Sequence, residues 1–220
     1  MRPLPGLLIL TAMSDPALSA DGSPTGSGLT SVSLLHQVRA HDPDAWRRLV
    51  QLYSPQVFHW CRRAGLSSDD AADVLQNVFF AVATRVVDFR RDTPQDSFRG
   101  WLWGITRFKI ADHFRALQGA PAAAGGSTAL LNLNQVSDGV APPDPEPSDS
   151  DDRTQLLHRA LEMIRVDFAE HTWKAFWRCT LEGHPAGDVA RDLNMTLDAV
   201  YQAKARVLRR VREEFAELLD

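Results

Sequence analysis

The 220 residues are 44% hydrophobic and 24% charged, enough apolar material for one ordinary domain or two small ones, which excludes wholesale disorder. No apolar run approaches the ~20 residues a membrane-spanning helix needs. The net charge of −4 conceals an uneven distribution: six acids and no base lie in residues 138–152, leaving +2 for the rest, and Lys204 to Arg212 holds five cations without an acid.

Residues 1–32 are rich in Pro, Gly, Ser and Thr without apolar periodicity, and read as a disordered N-terminal tail. As a signal peptide the stretch is poor. Pro3 and Pro5 interrupt the approach to a short apolar core, and Asp15 stands where a cleavage site wants small residues. Met13 is a second candidate start. Cys61 and Cys179 form neither a disulfide framework nor a zinc spacing, and fit reduced thiols of a cytoplasm.

Helical period governs residues 33–118, the first predicted domain. Asp42-Pro43 supplies an N-cap followed by Pro at the first helical position. Behind it Trp46, Leu49, Val50, Tyr53 and Val57 recur on one face. Ser67-Ser68-Asp69-Asp70 starts a second helix, whose apolar stripe is Val74, Leu75, Val78, Phe79, Val82 and Val86. Asp88 to Ser97 reads as a loop, and a third helix follows from Phe98 to Leu117, with Trp101, Leu102, Ile105 and Phe114 as expected core.

Residues 119–152 turn Ala/Gly-rich, then acidic and Pro-rich, and predict an extended, flexible linker. Residues 153–220 carry four further helical segments, marked by Leu157, Leu161, Ile164 and Phe168, by Trp173, Phe176 and Trp177, by Pro185 to Leu193, and by the run after Thr196. Nothing sustains a period of two. The predicted fold is all-α, two small helical domains joined by the linker, the second a four-helix domain containing a helix-turn-helix.

That motif rests on Val189, Ala190 and Leu193 packing against Met195 and Val200. Thr196 caps the second helix, which would expose Leu197, Asp198, Tyr201 and Gln202 toward a major groove. Glutamine pairs bidentately with adenine, and tyrosine meets phosphate or a thymine methyl. Arg206, Arg209, Arg210 and Arg212 would face phosphates or solvent. A structural bundle whose last helix happens to be basic is the plainer alternative.

Two motif sets resemble those of bacterial RNA polymerase sigma factors of the extracytoplasmic-function group, within the sigma-70 family. The first is Asp70-Ala-Ala-Asp73-Val-Leu-Gln76-Asn-Val-Phe79 with Ser97-Phe-Arg-Gly-Trp101-Leu-Trp-Gly-Ile105-Thr-Arg107 and the following Asp112-His-Phe-Arg115. The second is Ala199-Val-Tyr-Gln-Ala-Lys204-Ala-Arg-Val-Leu-Arg-Arg210. The resemblance implies region 2 over 33–118 and region 4 over 153–220. It implies docking on the clamp helices of the polymerase's largest subunit through Asp70, Asp73, Gln76 and Asn77, although Asn77 stands where the family has Glu. A further contact with the flap of the second-largest subunit, promoter DNA and an anti-sigma factor are the other implied partners.

The loop from Phe89 to Ser97 would hold a flipped minus-ten base, its polar Thr93, Gln95, Asp96 and Ser97 fitting such a pocket without any one being singled out. Arg99, Arg107, Lys109 and Arg115 would supply cations to the melted strand, and Trp103 either a stacking surface for melted bases or packing beneath the linker. Phe108 replaces the usual Asn. Thr196, Leu197, Asp198, Tyr201, Gln202, Arg206, Arg209 and Arg210 would bind the minus-thirty-five element. No catalytic residue, cofactor, metal or membrane insertion is expected. The competing reading is a helix-turn-helix regulator acting without polymerase, which gives the Trp101 helix no role.

Overall fold

A computed structural model describes residues 33–90, 97–117, 150–216, 218 and 219. The expected tail, residues 91–96 of the base-holding loop, and residues 119–149 of the expected linker lie outside them. The described residues form eight α-helices and one 3-10 turn, with no strand among them. They divide into two compact units, one beginning at Gln37 and one spanning Ser150–Leu219, with residues 33–36 grouped with the second. The short helix α1 (Leu34–Arg39) therefore straddles the division.

In the first unit, α2 (Pro43–Arg63), α3 (Ser68–Arg85) and α4 (Phe98–Leu117) pack together, each touching the other two. Asp42 starts α2 as read from the sequence, its carboxylate accepting from the Asp44 and Ala45 amides at 2.8 and 3.0 Å. Gly65, at φ 91°, reverses the chain after α2 and lets the Leu66 amide donate to Cys61 at 3.2 Å. Ser67 then caps α3 through the Asp70 amide at 3.1 Å. The α3 stripe is buried at Val74, Val78, Phe79 and Val82. Rings join the helices: Trp46 meets Phe79 edge-on at 6.1 Å, and Tyr53 meets Phe98 at 5.2 Å. Arg39 fastens the chain after α3, donating to the carbonyls of Val86 and Phe89.

Two expectations for α4 fail. Phe114 was assigned to the core but is 37% exposed, and Trp101 is only half-buried, between Phe89 and Phe98. Buried positions Phe98, Leu102, Ile105, Thr106 and Ile110 define the inward side; Phe114 follows Ile110 by one turn, in the last part of the helix, where no residue after Ile110 is buried.

The second unit holds α5 (Ser150–Ile164), a 3-10 turn (Arg165–Asp167), α6 (Glu170–Thr180), α7 (Ala186–Asp192) and α8 (Leu197–Phe215). Helix α5 takes in residues 150–152, which the composition had given to the linker. Acids there suit a helix start, and Asp152 is buried. Helix α8 packs chiefly on α6, with α7 and α5 beside it. Ala175, Val189, Ala190, Val200 and Ala203 form a buried cluster, with Leu193 and Met195 against it. Between α7 and α8, Asn194 takes the left-handed conformation, φ 51°. Its amide donates to Arg191 at 3.3 Å and that of Met195 to Ala190 at 2.8 Å, so the turn closes on its own backbone.

Candidate nucleic-acid interface

Helix α8 separates two faces. Val200, Ala203, Val207, Leu208 and Val211 are buried. On the other side Thr196, Leu197, Asp198, Tyr201, Gln202, Arg206 and Arg209 are all exposed, Tyr201 by 55%. The Thr196 hydroxyl accepts from the Ala199 amide at 3.1 Å, which fixes the first turn and the direction in which Tyr201 and Gln202 project. Arg209 makes only a loose approach to Glu213, 3.8 Å, with both side chains well solvated.

Arg210 departs from its expected role. Its guanidinium is drawn back to Asp167 of the 3-10 turn at 3.0 Å and to the buried Glu214 at 2.6 Å. An arginine neutralised by two carboxylates is a brace for α8, not a free phosphate contact. Arg206, Arg209, Arg210, Asp167, Phe168 and Glu213 line an open depression of about 410 Å³.

The expected cations of α4 are unequal. Arg99 is buried with 2% of its surface exposed, its guanidinium 5.8 Å from the Trp60 ring centroid. Residues 99, 102 and 106 share one helix side, so Arg99 lies inward beside Leu102 and Thr106 and does not face a strand. Trp103 is half-buried, edge-on to Trp60 at 5.1 Å, and so is a packing residue in this unit. Arg107, Lys109 and Arg115 remain half-exposed. Arg115 pairs with Asp112 at 2.8 Å. The Ser97 hydroxyl accepts from the Gly100 amide at 3.0 Å, at the start of α4.

On α3 the expected docking residues Asp73, Gln76 and Asn77 are exposed together. Asp70 is not free in the same way: it accepts from the Ser67 hydroxyl at 2.6 Å and lies 3.7 Å from His113 of α4. Sequence reasoning missed Phe80, which is 74% exposed beside Gln76 and Asn77. The period held the clue, since Phe80 lies 100° from Phe79 and cannot share its buried stripe.

No group of three or more His, Cys, Asp or Glu among the described residues is placed to hold a metal ion. Burial raises the Cys61 thiol to about 11. Burial also raises that of Cys179, against the opposing charges of Lys204 and Arg178. Neither thiol has the low pKa of a reactive nucleophile. No helix among the described residues is long and apolar enough to cross a membrane.

Residues 49–119, which carry the α3 face and α4, match the family model of sigma-70 region 2. The match takes in α3, α4 and most of α2, about a third of the chain. Among solved structures, CnrH in complex with the cytosolic domain of CnrY is similar at 20% identity, covering 81% of this chain and 92% of that one with a TM-score of 0.33. Comparison with curated proteins finds no match.

Proposed function

We propose that the chain is a non-catalytic, cytoplasmic specificity subunit of bacterial RNA polymerase, of the extracytoplasmic-function group. In this reading Asp73, Gln76 and Asn77 of α3 dock on the clamp helices of the largest subunit, with Phe80 adding an apolar contact. Helix α4 serves the melted minus-ten strand through Arg107, Lys109 and Arg115. Helices α7 and α8 act as a helix-turn-helix on the minus-thirty-five element, with Tyr201 and Gln202 at the bases and Arg206 and Arg209 at phosphates. An anti-sigma partner belongs to the same reading through the family resemblance.

The observation that carries it is the region 2 match over a segment with a polar docking face on α3 and cations on α4. A regulator working without polymerase would leave that segment unemployed. The test is comigration of the purified chain with core polymerase, followed by run-off transcription from promoter fragments. Failure to comigrate at moderate salt would overturn the proposal.

A further inference from the structure

One residue of α6 holds the chain on both sides of α7. We infer that Arg178 and Asp192 are a positioning pair for the minus-thirty-five contact. Their ion pair sets how α7 lies against α6, and so the angle at which α7 and α8 together meet the duplex. The inference rests on the sigma-factor reading and adds to it two residues that act without touching DNA.

The Arg178 carbonyl accepts from the His184 amide at 2.9 Å, just before α7 begins. Its guanidinium donates to the Asp192 carboxylate at 2.7 Å, on the last residue of α7. Gly183, at φ 72°, lets the chain turn back after α6. Apolar packing gives α7 little direction of its own. Of its seven residues only Val189 and Ala190 are buried, and the cluster they join includes the small side chains of Ala175 from α6 and Ala203 from α8. Burial of this kind is non-directional. Asp188 and Arg191 pair with each other within α7 at 3.2 Å. The short, charge-assisted bond from Arg178 to Asp192 supplies the direction.

That orientation reaches the DNA face. Asp192 is followed at once by the turn in which Asn194 is left-handed and the Met195 amide donates to Ala190 at 2.8 Å, so the end of α7 and the start of α8 are tied together. In a helix-turn-helix the first helix crosses the phosphate backbone while the second enters the groove, and the two must fit at once. The Arg178 side chain is 29% exposed, committed to its partner and not extended into solvent.

The test uses the full chain bound to core polymerase. One labelled duplex is a promoter that the wild type selects from a random library, and the other has an unrelated sequence. Arg178→Met keeps the stem and removes the charge, and Asp192→Ala removes its partner. Taking an acid from a DNA-binding surface ordinarily strengthens the hold on phosphates. The positioning role predicts the opposite for the promoter. Asp192→Ala should weaken promoter binding about three- to tenfold and Arg178→Met by a similar factor, with no further loss in the double variant, because one broken pair counts once. Affinity of Asp192→Ala for the unrelated duplex should not fall. Promoter binding by Asp192→Ala at or above the wild-type level would overturn the inference, and with a loss confined to Arg178→Met it would mark Arg178 as a direct phosphate contact. An equal loss on both duplexes would overturn it as well, marking a merely structural role. A wild-type chain that does not bind core polymerase would instead sink the sigma-factor reading, and this inference with it.

Discussion

Arg210 closes on Asp167, 43 residues earlier in the chain, with Nε at 3.1 Å and Nη2 at 3.0 Å from the same carboxylate oxygen. Its third nitrogen, Nη1, reaches Glu214 at 2.6 Å. The Glu214 side chain is 3% exposed, so removing the cation would leave a carboxylate with little access to water. We predict that Arg210→Ala destabilises the protein by about 1–3 kcal/mol. Arg209→Ala, at a side chain 67% exposed, should change stability by less than about 0.5 kcal/mol. Urea denaturation of both variants checks this, and equal midpoints would refute the bracing role.

Asn194 controls how α7 hands over to α8. A residue with a Cβ generally loses about 1–2 kcal/mol in the left-handed conformation, whereas Asn and Gly adopt it readily. Asn194→Gly should therefore leave the melting temperature near its wild-type value. Asn194→Val should lower it by the equivalent of about 1–2 kcal/mol. A Val variant as stable as the wild type would show that the turn relaxes to another conformation.

Cys61 makes stability depend on alkaline pH. Its thiol is buried in the folded chain and ionises only near 11, against an ordinary 9.0. Below 9 both states keep the proton and the contribution is constant. Between 9 and 11 the unfolded chain loses the proton first, so unfolding becomes easier as pH rises. The loss should reach on the order of 2 kcal/mol. Cys61→Ala should show a shallower decline over the same interval, and parallel curves would assign the decline to other groups.

Much of this architecture was legible because its signals are local. Asp42 and Thr196 announce helix starts within three residues of themselves, and the α3 stripe follows a clear period. Helix α4 was harder. Its apolar residues occur all around the helix, so the period did not show which side meets α2 and α3. Arg99 is buried although its charge reads as outward, and Phe114 is exposed although its apolar side chain reads as core. The Trp103–Trp60 contact and the Arg210–Asp167 bridge join residues 43 apart in sequence. No local pattern records such pairs. For the candidate site, the outward positions of α8 followed from the period, whereas the neutralised state of Arg210 needed the 3-10 turn in place.

The proposed division between reading and anchoring on α8 yields the last prediction. Tyr201 and Gln202 are exposed within two turns of the Thr196 cap, where a helix entering the major groove brings side chains to base edges. Arg209 is exposed two turns further on, where the helix axis has carried it toward the rim. A substitution of Gln202 should therefore change which promoter bases are preferred, by about 1–3 kcal/mol at one base pair if the contact is bidentate. Arg209→Ala should weaken binding to all sequences alike and reduce the salt slope by about one. Arg210 is excluded from this comparison, because its substitution would disturb α8 itself. A promoter-library selection beside a salt titration, with polymerase bound, separates the two effects. Unchanged base preference in the Gln202 variant with shifted preference in the Arg209 variant would mean that α8 lies deeper in the groove, with its later turns at the bases.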